Sequence, residues 1–256
     1  LNKGEVKRVQ LSLPDFKPDW NQVRDLITRN TRMSIINTPH NPTGSILRKE
    51  DLDTLYHLIA DTDILVLSDE VYEHIIFDDE EHTSVLGHEA LRERSIAVYS
   101  FGKTFHVTGW KVGYAIAPAA ITRELRKVHQ YVTFCVHAPT QFAIAEYLRE
   151  ESNYTALPEF YQEKRDLFLN LMQGSALKPV KSSGTYFQLF SYEGISEQDD
   201  VAMAEELTKQ HGVAAIPVSV FYKNQRQERL LRFCFAKTDP TLEKAAEILC
   251  KTFPSA

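Results

Sequence analysis

Cysteine is scarce: only Cys135, Cys234 and Cys250 occur in a chain of 256 residues, far apart, with no CxxC and no histidine at ligand spacing. An odd, scattered set supports neither a disulfide framework nor a zinc site, and no metal is expected. Each thiol is expected to be a small buried hydrophobe in a reducing, cytoplasmic setting. Positive charge is also short. The 29 Lys and Arg are outnumbered by 35 Asp and Glu, and a net charge of -6 opposes attraction to a phosphate backbone, which removes nucleic acid from the expected partners. Long hydrophobic runs are missing as well. The longest uncharged stretch, 128–145, approaches membrane-spanning length but carries His129, Gln130, His137, Pro139 and Gln141. It is expected to be a buried segment of a soluble protein, with no membrane partner. There is no internal repeat and no low-complexity stretch. The chain opens on Leu1-Asn2-Lys3-Gly4 and runs into a strand-like segment, 6–13, without a signal-peptide pattern, so it is expected to be the middle of a longer chain.

What is present is an ordinary globular balance, 43% hydrophobic and 25% charged, with length for one large domain or two modest ones. Short apolar runs alternate with segments of helical period, the pattern of βα units and a largely parallel sheet. Strands are expected at 33–37, 64–68, 96–100 and 112–117. Leu52, Leu55 and Ile59 mark a crossover helix between the first two. After Pro158, Phe160, Tyr161, Leu167, Phe168 and Leu171 mark a helix with Gly174 at its C-terminal cap. A strand at 185–190, a helix from 201 to 211 stopped by Gly212, strands at 213–216 and 230–235, and a last helix follow. That helix is expected to have Asp239 as cap and Pro240 in its first turn, and to bury Leu242, Ala246, Leu249 and Phe253. The expected organisation is a larger α/β domain over 1–157 and a smaller one over 158–256, the latter beginning with an interdomain helix.

Three strand ends carry polar residues suited to chemistry. Ligands of open α/β sheets sit outside the carboxyl ends of strands, and Ser100-Phe101-Gly102-Lys103-Thr104 falls where 96–100 ends. Lys103 there could form an imine, although taken alone it also fits a solvated surface lysine. The strand 64–68 runs into Asp69-Glu70-Val71-Tyr72, where Asp69 could instead cap the following segment. The strand 33–37 runs into Asn41-Pro42-Thr43-Gly44, which by itself has plain turn chemistry. Their joint order is harder to ascribe to accident, with 28 positions from Asn41 to Asp69 and 34 from Asp69 to Lys103. Arg232 lies in an apolar run where an unpaired guanidinium is costly, and so needs an anion.

The N-P-T-G turn, the D-E-x-Y strand end and the run from Ser100 to Tyr114 resemble the pyridoxal-phosphate aminotransferases of fold type I, class I/II. The same run, with Arg126 to Tyr131, resembles the branch holding the methionine and kynurenine aminotransferases. The resemblance implies a mostly parallel large-domain sheet with helices on both faces, a smaller C-terminal α/β domain, and a homodimer. It also implies that the N-terminal part of the family fold, with a phosphate-gripping glycine-rich loop and an aromatic residue stacked on the cofactor ring, lies outside this sequence. By the same resemblance Lys103 would bond the cofactor aldehyde and then shuttle a proton at the substrate α-carbon. Asp69 would pair with the pyridinium nitrogen and keep it charged. Tyr72 and Asn41 would donate hydrogen bonds to the cofactor phenolate oxygen. Ser100 and Lys111 would hold the phosphate; the family usually has arginine at the position of Lys111, and lysine offers a point charge rather than a fork. Arg232 would grip the substrate α-carboxylate, with a structural salt bridge as its alternative.

The activity so implied is transfer of the α-amino group of methionine or an aromatic, kynurenine-like amino acid to a 2-oxo acid. A carbon-sulfur β-lyase using the same cofactor, and a non-catalytic truncated domain of this fold, are the rival readings. His40, His106, His129 and His137 are expected to be packed or surface residues. The segments 184–187 and 217–221 resemble stretches bordering the substrate, with aromatics that serve equally well as core. The acids at 80–81 and 197–200 are expected to be solvated faces.

Overall fold

In the computed structural model, which describes residues 3–255, the chain separates into two units. The first comprises 1–39, 46–74 and 81–155; the second comprises 40–45, 75–80 and 156–256. In the first unit, helix α1 (Trp20–Leu26) precedes strand β1 (Met33–Asn37), and helix α2 (Lys49–Ile59) leads to β2 (Leu65–Asp69). A short helix α3 (Glu89–Arg92) precedes β3 (Ser95–Ser100), and one turn of helix, α4 (Phe101–Thr104), follows it directly. Strand β4 (Gly113–Ile116) and helices α5 (Ala119–Val132), α6 (Ala138–Tyr147) and α7 (Ser152–Thr155) complete the unit. The sheet order is β1-β2-β3-β4, parallel for the first three strands and antiparallel for the last.

This order follows from the side chains. Leu52, Leu55 and Ile59 repeat on one face of α2 and are all fully buried, against Val66, Ala97 and Tyr99 of the sheet. Burying each such side chain is worth about 1.5–3 kcal/mol, enough to hold the crossover down. Asp51 ties the helix start in place, accepting from the Arg48 N–H at 2.9 Å and the Trp20 indole at 3.0 Å.

The elements of the second unit are α8 (Leu157–Leu171), β5 (Lys178–Pro179), β6 (Phe187–Ser191), α9 (Asp200–Glu206), β7 (Ile216–Pro217), β8 (Leu230–Cys234) and α10 (Asp239–Thr252). Its antiparallel sheet runs β5-β6-β8-β7. Arg165 of α8 is buried, yet it forks onto Asp78 at 2.6 and 2.8 Å, which binds the segment 75–80 into this unit.

Several expectations from sequence give way. Residues 6–13 form no strand: a strand needs a regular backbone ladder with a second segment, and this run instead ends in a turn from Leu13, closed by the Phe16 N–H on Ser12 O at 2.9 Å. Residues 213–216 are not a strand: Gly212 turns left-handed at φ 72° and the Val213 N–H is taken by Leu207 O, so pairing starts only at Ile216. Gly174 caps nothing. It ends a 3₁₀ turn after α8. The cap of α10 is Thr238, with Asp239 as first helical residue. The stretch 128–145 is largely exposed rather than buried, with Tyr131 at 87% and Phe134 at 81%. Cys135 is exposed and the other two thiols are half-buried. Apolar composition shows that a surface favours cover, not that the described residues of the same chain supply it. No helix among the described residues is long and apolar enough to cross a membrane.

Candidate active site

Within the first unit, three of the expected residues gather at the carboxyl ends of β2 and β3. Asp69 is the last residue of β2, in register with Asn37 and Val98. Its backbone oxygen accepts from Asn37 Nδ2 at 2.9 Å and from the Thr38 N–H at 3.0 Å, so both sides of the tip are pinned. Burial pushes the Asp69 carboxyl above the usual range, opposed by the Val71 N–H and by the positive charge of Lys103. A carboxylate short of solvent gains by facing a second cation. Tyr72 follows on the same turn and is 2% exposed. Lys103 leaves β3 through α4, and its Nζ stands 5.8 Å from the Tyr72 ring centroid.

The lysine turn is compact because glycine occupies two positions. A Cβ on Gly102 would come to 3.0 Å from Thr108 Cα and 3.3 Å from Ser100 Oγ, and a Cβ on Gly113 would run into the Tyr99 carbonyl oxygen. Ser100 pairs with Gly113 and caps α4. Lys111 is exposed two residues before Gly113, in the left-handed region at φ 56° and ψ 41°. A non-glycine residue there costs about 1–3 kcal/mol, and such strain collects at ligand clamps. Ser100 and Lys111 thus flank one end of the β3–β4 pair.

In the second unit Asn41 and Arg232 meet across 191 positions of sequence: Arg232 Nη1 donates to Asn41 Oδ1 at 2.6 Å. With the amide oxygen so engaged, the Asn41 NH₂ is the donor it presents elsewhere. The Asn41 turn is closed by the His40 N–H on Ser45 O and the Gly44 N–H on His40 O, both 2.8 Å. Gly44 has φ 72°, and a Cβ there would collide with Ser182 Oγ. His40 Nδ1 lies 2.7 Å from Thr43 Oγ1, and burial lowers the imidazole to about 4, so it is neutral. Arg232 sits on β8 between Leu189 and Ile216, its guanidinium 4.0 Å from the Phe187 ring and 5.4 Å from that of Phe221. Phe187 is buried and Phe221 is exposed, so these aromatics are wall as well as core.

Two functional-looking acids escape the sequence reading. Glu70 is 0% exposed and accepts from Ser68 Oγ at 2.7 Å, Tyr99 OH at 2.9 Å, the Val85 N–H at 3.1 Å and His82 Nε2 at 2.9 Å. Burial alone would raise it, but His82, Ser84 and Ser68 outweigh that and hold it below the usual carboxylate range. A glutamate set directly at a strand end among apolar residues was the available signal. Asp200 corrects the expectation of a solvated face over 197–200: it is fully buried. Charge runs describe sequence neighbours, not the hydrogen-bond donors brought by the fold.

The donors present suit pyridoxal phosphate: a desolvated carboxylate for a pyridinium, an amine for an aldehyde, and a hydroxyl with a cation for a phosphate. No group of three or more potential metal ligands occurs among the described residues.

Comparison with known proteins agrees with this chemistry. The model of the aminotransferase class I and II family matches residues 1–249. The Escherichia coli methionine aminotransferase is 50% identical over 250 residues, 97% of this chain and 65% of that protein. A Dictyostelium discoideum kynurenine–oxoglutarate transaminase is 38% identical over 92% of this chain and 60% of its own length. A crystal structure of an Escherichia coli protein identified with methionine aminotransferase function superposes with a TM-score of 0.93 at 50% identity, covering 96% of this chain and 65% of that one. An N-succinyldiaminopimelate aminotransferase from Mycobacterium tuberculosis superposes at 0.87 with 33% identity, over 94% and 63%. The chain therefore spans about 65% of the length of the first of these relatives.

Proposed function

Because the chain belongs to the class I and II aminotransferases, we propose that it serves pyridoxal-phosphate-dependent transamination, moving the α-amino group of methionine or an aromatic, kynurenine-like amino acid to a 2-oxo acid. The observation that carries this reading is the desolvated Asp69 carboxyl within electrostatic reach of the Lys103 amine, on adjacent parallel strand ends. When bound, pyridoxal phosphate supplies an aldehyde carbon and a ring that draws electrons from the substrate. Lys103 would hold the cofactor through its amine, and the same amine would take the proton from the substrate α-carbon. Asp69 would keep the ring nitrogen in its protonated form, since an adjacent anion favours the cation. Tyr72 and the Asn41 amide would donate to the cofactor phenolate oxygen, Ser100 and Lys111 would hold the phosphate, and Arg232 would receive the substrate α-carboxylate with two parallel bonds.

The methionine and kynurenine relatives support the substrate class. The exposed apolar side chains of 128–142 support a homodimer, and three free cysteines suit a reducing, cytoplasmic compartment. The division into domains 1–157 and 158–256 belongs to the same proposal. Borohydride reduction of the protein incubated with pyridoxal phosphate, followed by peptide mapping, is expected to find the adduct on Lys103. An adduct on another lysine, or none, refutes the reading.

A further inference from the structure

Inside the second unit, Asp200 and Ser219 form a closed polar pair. The Asp200 carboxylate accepts twice from one residue, Oδ2 from the Ser219 N–H and Oδ1 from the Ser219 hydroxyl, both at 2.6 Å. Its own N–H donates to Gln227 Oε1 at 3.1 Å. A carboxylate taken wholly out of water is retained only where its bonds are complete, and its geometry is then rigid. Ser219 opens the 3₁₀ turn Ser219–Phe221, which is closed by the Phe221 N–H on Val218 O at 3.1 Å and the Tyr222 N–H on Ser219 O at 3.0 Å. At the end of this pinned turn stands Phe221, 46% exposed, with its ring toward the Arg232 guanidinium. A half-exposed ring adds little to a core, but beside a guanidinium it restrains the plane of the fork.

We propose that Asp200 and Ser219 are positioning residues for Arg232, acting through Phe221: their paired bonds fix the turn, and the ring keeps the guanidinium oriented for two-pronged capture of a carboxylate. This rests on the assignment of Arg232 as the carboxylate grip. It predicts that damage at a site with no substrate contact weakens carboxylate binding without touching the chemical step.

The test is a double-mutant cycle read by binding rather than turnover. 3-Phenylpropanoate, a carboxylate with no amine to transfer, is titrated calorimetrically into the protein loaded with pyridoxal phosphate. Ser219→Ala and Phe221→Leu are each expected to weaken binding by roughly 10-fold, the scale of a lost cation–π restraint, and the double variant no further than either alone. Ser219→Thr, which keeps the hydroxyl, restores binding. In steady-state assays Ser219→Ala raises KM for the amino acid and leaves kcat unchanged. If Arg232→Ala does not reduce binding, the carboxylate assignment falls and this inference with it. If Arg232→Ala abolishes binding while Ser219→Ala is silent, or adds fully to Phe221→Leu, the positioning role alone is overturned. Should Ser219→Ala fail to fold, Asp200→Asn takes its place in the cycle with the same expected outcomes.

Discussion

An ε-amine 5.8 Å from a buried tyrosine ring, in the field of a desolvated carboxylate, is placed for work that a surface lysine does not do. Lys103→Ala is expected to lower transamination by roughly 10²–10⁴-fold or more, the range of a lost proton-transfer group, with the far-UV circular dichroism of the parent. Near-parental turnover would remove Lys103 from the chemistry. Asp69→Asn keeps the shape and the Val71 N–H as a partner but loses the charge. Its activity is expected to fall by about 10²-fold or more, the scale of a lost electrostatic group, while bound cofactor persists, as its visible absorbance would show. These residues were legible because each sits in a short contiguous motif at a strand end. The Arg232–Asn41 bond was not, since nothing local announces a partner 191 positions away. Asp200 was misjudged for the same reason: its donors come from Ser219, nineteen positions on.

Elements were legible where one side-chain pattern dominates. Strand β1 falls on its expected residues, α2 buries the expected three, and α10 buries Leu242, Ala246 and Leu249. They were not legible where backbone pairing decides, as at 6–13 and 213–216, because a strand is a property of two segments. The β3–β4 pair shows how strictly such pairing binds composition. A methyl group on Gly113 has no room against the Tyr99 carbonyl, and backbone cannot rotate away as a side chain can. Gly113→Ala is therefore expected to destabilise the protein by about 1–3 kcal/mol, as overpacking does, seen as a lower urea midpoint with an unchanged slope. Because Ser100 lies opposite Gly113, phosphate affinity should fall in the same variant. Leu55→Ala in α2 should cost about 2–5 kcal/mol through its cavity and leave phosphate affinity unchanged, which separates loss of stability from loss of site geometry.

For the molecule as a whole, the acid side of its stability is set by buried groups that answer protons in opposite senses. Burial holds His40 neutral to about 4 against an ordinary 6.5. Between those values the unfolded chain binds a proton that the folded one refuses, so stability falls with pH by up to about 1.4 kcal/mol per unit for this group. The loss is complete below about 4. Glu70, depressed from 4.5 by His82, Ser84 and Ser68, contributes stability above 4.5 that is lost as pH falls through its lower folded value. Asp69 and Glu73, both raised by burial, take protons first in the folded state and so offset part of the decline. A pyridinium beside Asp69 would remove that offset, because a cation restores the carboxylate to its charged form. Urea midpoints at constant ionic strength are thus expected to fall steadily below pH 6.5, and to fall more steeply once pyridoxal phosphate is bound. His40→Gln should flatten the limb between pH 6.5 and about 4 while leaving the drop below it. An unchanged slope in that variant would show that His40 is not held neutral, and an unchanged slope with cofactor would show that Asp69 does not meet its ring nitrogen.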